Sequence, residues 1–118
     1  MKSRVRESAV IHTLRQRLRQ YQPRALPLEL PEAAVLMPVT DSSTPELILT
    51  VRSAAMPTHA GEVAFPGGKH DPADPDLLAT ALRESREEVG LDVTDVEVLR
   101  QLSPLASRYG MKVTPFVG

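Results

Sequence analysis

The chain contains no cysteine and no tryptophan, and only two tyrosines and two phenylalanines. Without cysteine there is no disulfide framework and no thiolate metal site. The scarcity of aromatic rings argues against a base-stacking platform for nucleic acid. Charge of one sign is also missing: the net is −1 at neutral pH, which gives no bulk attraction to nucleic acid. No apolar run approaches the ~20 residues needed to span a bilayer, and the charged N-terminus lacks the apolar segment of a signal peptide. These absences point to a cytoplasmic protein that engages neither membrane nor nucleic acid. At 118 residues, 42% of them hydrophobic, the chain is one small domain with material for a core.

What charge there is lies unevenly. Residues 1–24 carry seven basic side chains against Glu7, a net of +6, which leaves −7 for the remainder. Within this basic stretch Ile11, Leu14 and Leu18 recur at helical spacing beside Val10, and predict a helix from about Glu7 to Tyr21. Its plain role is to dock on the domain and leave a solvated basic face. Its sharper role is to attract an acidic partner or substrate phosphates. Pro23, Pro27 and Pro31 then make an extended connector. The expected division is a basic helix and connector over 1–30 and a domain over 31–118.

Strands are expected at Ala33–Met37, Leu47–Val51 and Glu62–Phe65, within Val93–Leu102 and from Met111 to Val117, with a turn at Asp41–Pro45 and a break at Ser103-Pro104. One long helix, from about Asp76 to Val89, interrupts them. Turning about 100° per residue, it places Leu78, Ala81, Leu82, Ser85 and Val89 on one face, which is apolar apart from a small serine. Glu84, Glu87 and Glu88 line one border of that face. Like charges at this spacing cost a helix about 0.2–0.5 kcal/mol per pair. A hard cation such as Mg²⁺ or Mn²⁺ would reverse the sign of the interaction. An ordinary acidic face paired with Arg83 and Arg86 would carry the same residues. A Gly67-Gly68 turn before the helix and a Gly90 stop after it shift the weight to a metal site, although Gly90 also suits a left-handed helix end. Asp71 and Asp74 read as turn and helix-entry residues, with Asp74 or Asp76 as the N-cap.

At these residues the chain resembles the Nudix hydrolases, whose box reads G-x5-E-x7-R-E-U-x-E-E-x-G-U, U being a bulky aliphatic. Arg83, Glu84, Glu87, Glu88, Gly90 and Leu91 match its second half. Ser85 stands where an aliphatic is usual. In the first half Gly68 and Asp74 keep the spacing, with Asp for Glu, but the box is longer by one residue, and Pro75 occupies the strict acidic position. The wider pattern is Leu49-Thr50, Arg52-Ser53, His59-Ala60-Gly61-Glu62-Val63-Ala64-Phe65-Pro66-Gly67-Gly68, Asp71, Asp74 and Thr80-Ala81-Leu82-Arg83-Glu84. It resembles the coenzyme A pyrophosphatase branch, in which the box is lengthened in this way; Pro57 stands where that branch usually has an arginine.

The resemblance implies an α+β fold, a Nudix-type α/β/α sandwich with a mixed sheet. Such a sandwich continues with further strands and a second large helix, so the chain reads as C-terminally incomplete, broken off in a strand. One apolar sheet face left exposed would equally suit a homodimer. The implied activity is metal-dependent hydrolysis of a pyrophosphate bond in a nucleotide, coenzyme A above all, giving adenosine 3′,5′-bisphosphate and 4′-phosphopantetheine. Other dinucleotides or nucleoside triphosphates, or a non-catalytic binding domain, are the alternatives. By the same resemblance Glu84, Glu87 and Glu88 hold Mg²⁺ or Mn²⁺, with a carbonyl of Gly67-Gly68 (Gly68 first) as a further ligand. Arg83 orients the glutamates, and Arg52, Ser53, Gly67 and Gly68 contact substrate. His59 and His70 flank the glycines within reach of phosphate; each would equally be a plain surface residue.

Overall fold

The computed structural model describes residues 8–51 and 61–118. Among the described residues two α-helices and seven strands follow one another as α1 (Ala9–Gln20), β1 (Glu32–Met37), β2 (Thr50–Val51), β3 (Val63–Ala64), β4 (Gly67–Lys69), α2 (Leu77–Val89), β5 (Arg100–Gln101), β6 (Leu105–Ala106) and β7 (Lys112–Val117). The architecture is α+β, with a mixed sheet ordered β4-β1-β7-β5 and β6 sharing the β5 edge of β7. Its centre is the parallel pairing of β1 with β7, Glu32 opposite Lys112 through to Met37 opposite Val117. β4 runs antiparallel on the other side of β1. β2 and β3 form a separate antiparallel pair.

The core is where α2 lies on this sheet. Ala34, Leu36, Ala81 and Phe116 are buried together, with Leu77, Leu78, Leu82, Leu91 and Val96 packed around them. The helix starts where its periodicity says it should: Asp76 is the N-cap, its Oδ1 accepting the Ala79 amide at 2.7 Å. It stops at Gly90, in the left-handed region at φ 70°. Ser85 is buried within the packed face, and its hydroxyl donates to the Ala81 carbonyl at 2.7 Å. A hydroxyl satisfied inside its own helix can be buried without an orphaned donor.

α1 docks through Ile11 and Leu18, both buried, after a Ser8 cap. Arg15 pairs with Glu97 at 2.8 Å. Just beyond the helix, the Tyr21 hydroxyl lies 2.6 Å from Ser103 Oγ and accepts the Ser103 amide at 2.8 Å, while Arg100 donates to the Tyr21 carbonyl at 2.7 Å.

Several expected strands change shape. Leu47–Val51 is a strand only at Thr50–Val51, with Leu47 in a lone bridge to Val39. Leu47, Leu49 and Val51 are exposed, so this apolar run has no packing to hold it extended. Val93–Asp95 is a 3₁₀ turn, because the Asp92 carboxylate takes both the amide and the hydroxyl of Thr94; within the expected Val93–Leu102 stretch the strand is confined to Arg100–Gln101. The strand breaks at Ser103-Pro104, as expected, and pairing on β7 resumes at Leu105. β5 and β6 both lie antiparallel on β7, with the register slipped by one residue between them, as a bulge does. The central strands offer no exposed apolar face, since every position of β1 and β7 except Glu32 is buried or half-buried.

Candidate functional site

Gly67 and Gly68 are extended and belong to β4, paired with Val35 and Ala34. The expected turn is therefore a strand, and these glycines serve closeness rather than a reversed backbone. A Cβ on Gly67 would stand 2.3 Å from the Ala34 carbonyl oxygen and 2.7 Å from Val35 Cα. A Cβ on Gly68 would stand 2.6 Å from Glu84 Cδ and 2.8 Å from its Oε1. β4 thus approaches β1 on one side and seats the carboxylate of α2 on the other.

Arg83 organises what lies above it. Its Nε donates to Asp74 Oδ1 and its Nη2 to Asp74 Oδ2, both at 3.0 Å, in the forked geometry that suits guanidinium and carboxylate. Nη2 also reaches the Lys69 carbonyl at 3.4 Å. Nη1 donates to Glu84 Oε1 at 2.9 Å and, more loosely, to Glu87 Oε1 at 3.4 Å. All five N–H groups of the guanidinium are committed. Arg83 cannot take a phosphate oxygen without releasing one of these partners.

Asp74 is the other pole. Its side chain is 7% exposed, and Oδ2 accepts the Thr80 hydroxyl at 2.8 Å and the Asp71 amide at 3.1 Å in addition to Arg83. The Arg83 hydrogen bond, against the opposing effect of desolvation and helped by Thr80 and Asp71, holds its carboxyl well below the usual carboxylate range. The same contact with Asp74, again against desolvation and joined by Glu84, pushes the Arg83 guanidinium upward. Asp74 is therefore not the helix cap, which is Asp76.

The three glutamates differ in setting. Glu84 is half-buried, its side chain 19% exposed, and Glu87 is exposed. Glu88, also exposed, follows on the same border. Among the described residues no three acidic or histidine side chains converge closely enough to enclose an ion as they stand. The donor chemistry nevertheless fits a hard divalent cation, since it is carboxylate oxygen beside an extended backbone segment that only glycine allows. A positive group already sits between two of the acids: Arg83 Nη1 bridges Glu84 and Glu87.

The sequence matches the NUDIX domain family over residues 30–114, which includes every element of this site. The chain belongs to the Nudix family. Among its relatives, the uncharacterized Nudix hydrolase NudL of Yersinia enterocolitica is 50% identical over 101 residues, covering 86% of this chain and 52% of that protein. The NudL protein of Klebsiella aerogenes is 50% identical over 97 residues, covering 82% of this chain and 81% of that one. Apart from the latter, the chain spans about half the length of the curated relatives it matches. In fold it is similar to the Nudix hydrolase RenU of M. smegmatis (TM-score 0.58, 20% identity, 74% of this chain and 59% of that one). A second structural neighbour is the C. elegans Ap4A hydrolase (TM-score 0.57, 21% identity, 75% and 67%).

Part of the Nudix box is thus gathered around Arg83: Asp74, Glu84 and Glu87 accept its hydrogen bonds, and Gly68 backs Glu84. Arg52, Ser53 and His59 lie outside the described residues. His70 turns its Nδ1 to the Thr80 hydroxyl at 2.9 Å. Neither the Asp74–Arg83 fork nor the Thr80 contact follows from local sequence signals. The available signal was the spacing of Asp74 and Thr80 to Arg83, since Thr80 is three residues before it on one helix face.

Proposed function

We propose that this Nudix chain carries the catalytic helix of a metal-dependent pyrophosphohydrolase that cleaves coenzyme A to adenosine 3′,5′-bisphosphate and 4′-phosphopantetheine. The observation that carries the reading is the Glu84 carboxylate, seated against Gly68 and oriented by an Arg83 whose donors are all engaged. Side chains held this way make a preformed oxygen-ligand border rather than a loose acidic surface. The lengthened box and the wider pattern from Leu49 to Glu84 favour the coenzyme A branch.

In this reading Glu84, Glu87 and Glu88, with a carbonyl of Gly67 or Gly68, hold Mg²⁺ or Mn²⁺. When bound, the ion supplies charge neutralisation on the pyrophosphate and a more acidic water. Arg83 fixes the carboxylates and leaves the phosphate to other groups, Arg52 and Ser53 among them. The proton from the attacking water goes to a glutamate of the box. Pro57, in place of an arginine, favours a second reading in which the same chemistry acts on another nucleoside diphosphate compound.

The test is Mg²⁺-dependent cleavage of coenzyme A by the full-length protein, with products identified by mass. Both named products are expected, and Glu88→Gln should abolish turnover while leaving the circular dichroism spectrum unchanged. Cleavage of a dinucleotide with coenzyme A left intact would overturn the substrate and keep the site. Full activity in Glu88→Gln would overturn the metal site itself.

A further inference from the structure

Thr80 is fully buried, at 0% exposure, in the second turn of α2. A threonine inside a helix commonly returns its hydroxyl to the carbonyl four residues back. Here that acceptor, the Asp76 carbonyl, is 3.3 Å away, whereas Asp74 Oδ2 is at 2.8 Å. The hydroxyl has a single proton, and the shorter contact goes out of the helix to the acid that grips Arg83. Thr80 and Arg83 stand three residues apart on one helix face and hold the same carboxylate from two sides.

This arrangement answers a problem set by the sequence. Asp74 is one methylene shorter than glutamate and lies one residue further from Arg83 than the strict box spacing. Nothing in such a loop position fixes the plane of a carboxylate by itself. The Asp71 amide and the Thr80 hydroxyl both land on Oδ2 and leave Oδ1 to face Arg83 Nε.

A third group stands behind Thr80. His70 Nδ1 lies 2.9 Å from the same hydroxyl oxygen. Since the hydroxyl proton goes to Asp74, His70 must bring its hydrogen on Nδ1. The backbone of His70 is itself anchored, its amide donating to the Glu32 carbonyl at the start of β1 at 3.0 Å.

We propose that Thr80 is a positioning residue of the hydrolytic site: the chain His70–Thr80–Asp74 sets the Arg83 fork, and through it the Glu84 and Glu87 carboxylates. This rests on the metal-site reading above for its consequence, and on the geometry alone for its existence. It does not place Thr80 or His70 in contact with substrate.

The experiment compares Thr80→Val, which keeps the shape and removes the hydroxyl, with Thr80→Ser, which keeps the hydroxyl. Two quantities are read on the full-length protein: hydrogen exchange at Arg83 Nε–H by NMR, and affinity for Mn²⁺. In Thr80→Val the Nε–H exchange should quicken about tenfold and Mn²⁺ affinity fall by about tenfold, the size typical of groups that orient metal ligands. Thr80→Ser should restore both. Unchanged exchange in a folded Thr80→Val, or equal damage in Thr80→Ser, overturns the proposal. Should Thr80→Val not fold, His70→Phe removes the donor at an exposed position, and unchanged Arg83 exchange there would sink the relay. A native protein that binds no Mn²⁺ yet shows the exchange response would overturn the metal reading and leave the positioning role standing.

Discussion

The two helices are built alike and used differently. α1 and α2 have 12 and 13 residues, each is capped by an oxygen side chain, and each projects an arginine toward an acid. On α1, Arg15 meets Glu97 at 2.8 Å, but Glu97 is 67% exposed and the pair stands at the rim. On α2, Arg83 meets an Asp74 that is nearly buried and already held by two other donors. An exposed ion pair competes with water and costs side-chain entropy to hold, so its net worth is about 0–1 kcal/mol. A fork locked on a buried, hydrogen-bonded carboxylate has a fixed direction, and direction is what a ligand border requires. The same residue type is a fastener in one helix and an orienting device in the other.

Arg83→Lys against Arg15→Lys tests that contrast most sharply. Lysine keeps the charge and loses the fork. Turnover of Arg83→Lys should fall by about 10–100-fold, while Arg15→Lys should stay within about 0.5 kcal/mol of native stability and keep its activity. Comparable losses from both, in parallel melts and steady-state assays, would erase the distinction.

The adjacent glycines divide the same way. Gly67→Ala drives a methyl into the backbone of β1, and should destabilise by about 1–3 kcal/mol in urea unfolding, as overpacking does. Gly68→Ala meets the end of a side chain instead, so it should lower turnover by about tenfold through a displaced Glu84, with a smaller loss of stability. Reversal of the two outcomes would mean that β4 does not seat the site.

The smallest effect is the dependence on pH. The folded-state pKa of Asp74 is depressed, so its stabilising contribution is fully present above the unfolded value of about 3.9 and is lost as pH falls below it toward the folded value. The Tm gap between native protein and Asp74→Asn should therefore be widest near neutrality and shrink on acidification below about pH 4. A gap that stays constant down to pH 2 would show that the carboxylate charge plays no part.

Much of α2 was legible in advance. Its apolar period and its Gly90 stop are local signals that act within one or two turns, and its cap was narrowed to Asp74 or Asp76. The partners of Asp74 were not legible. Aspartate before a helix reads as a turn or cap residue, and its bond to Arg83 spans nine positions through a loop. Gly67-Gly68 misled for a related reason. Paired glycines signal a reversal of the chain, and only the neighbouring strand and the Glu84 carboxyl reveal that the missing side chains make room. Leu47–Val51 shows the opposite failure: an apolar run predicts burial, and most of this one stays at the surface.

The parallel pairing of β1 with β7 joins residues near the start of the domain to residues 112–117. It also forms the middle of the sheet, so α2 lacks half its floor until the last of these strands has left the ribosome. Loop closure over that span comes before any reward from the contacts it makes, which slows folding. Synthesis at ~5–20 residues per second leaves the helix waiting for seconds. During that interval its acidic border has only the β4–β1 half of the sheet beneath it. Arrested nascent chains of increasing length should acquire protease resistance only after Val117 emerges; protection that arises as soon as α2 is complete would show that the site is shaped before its sheet.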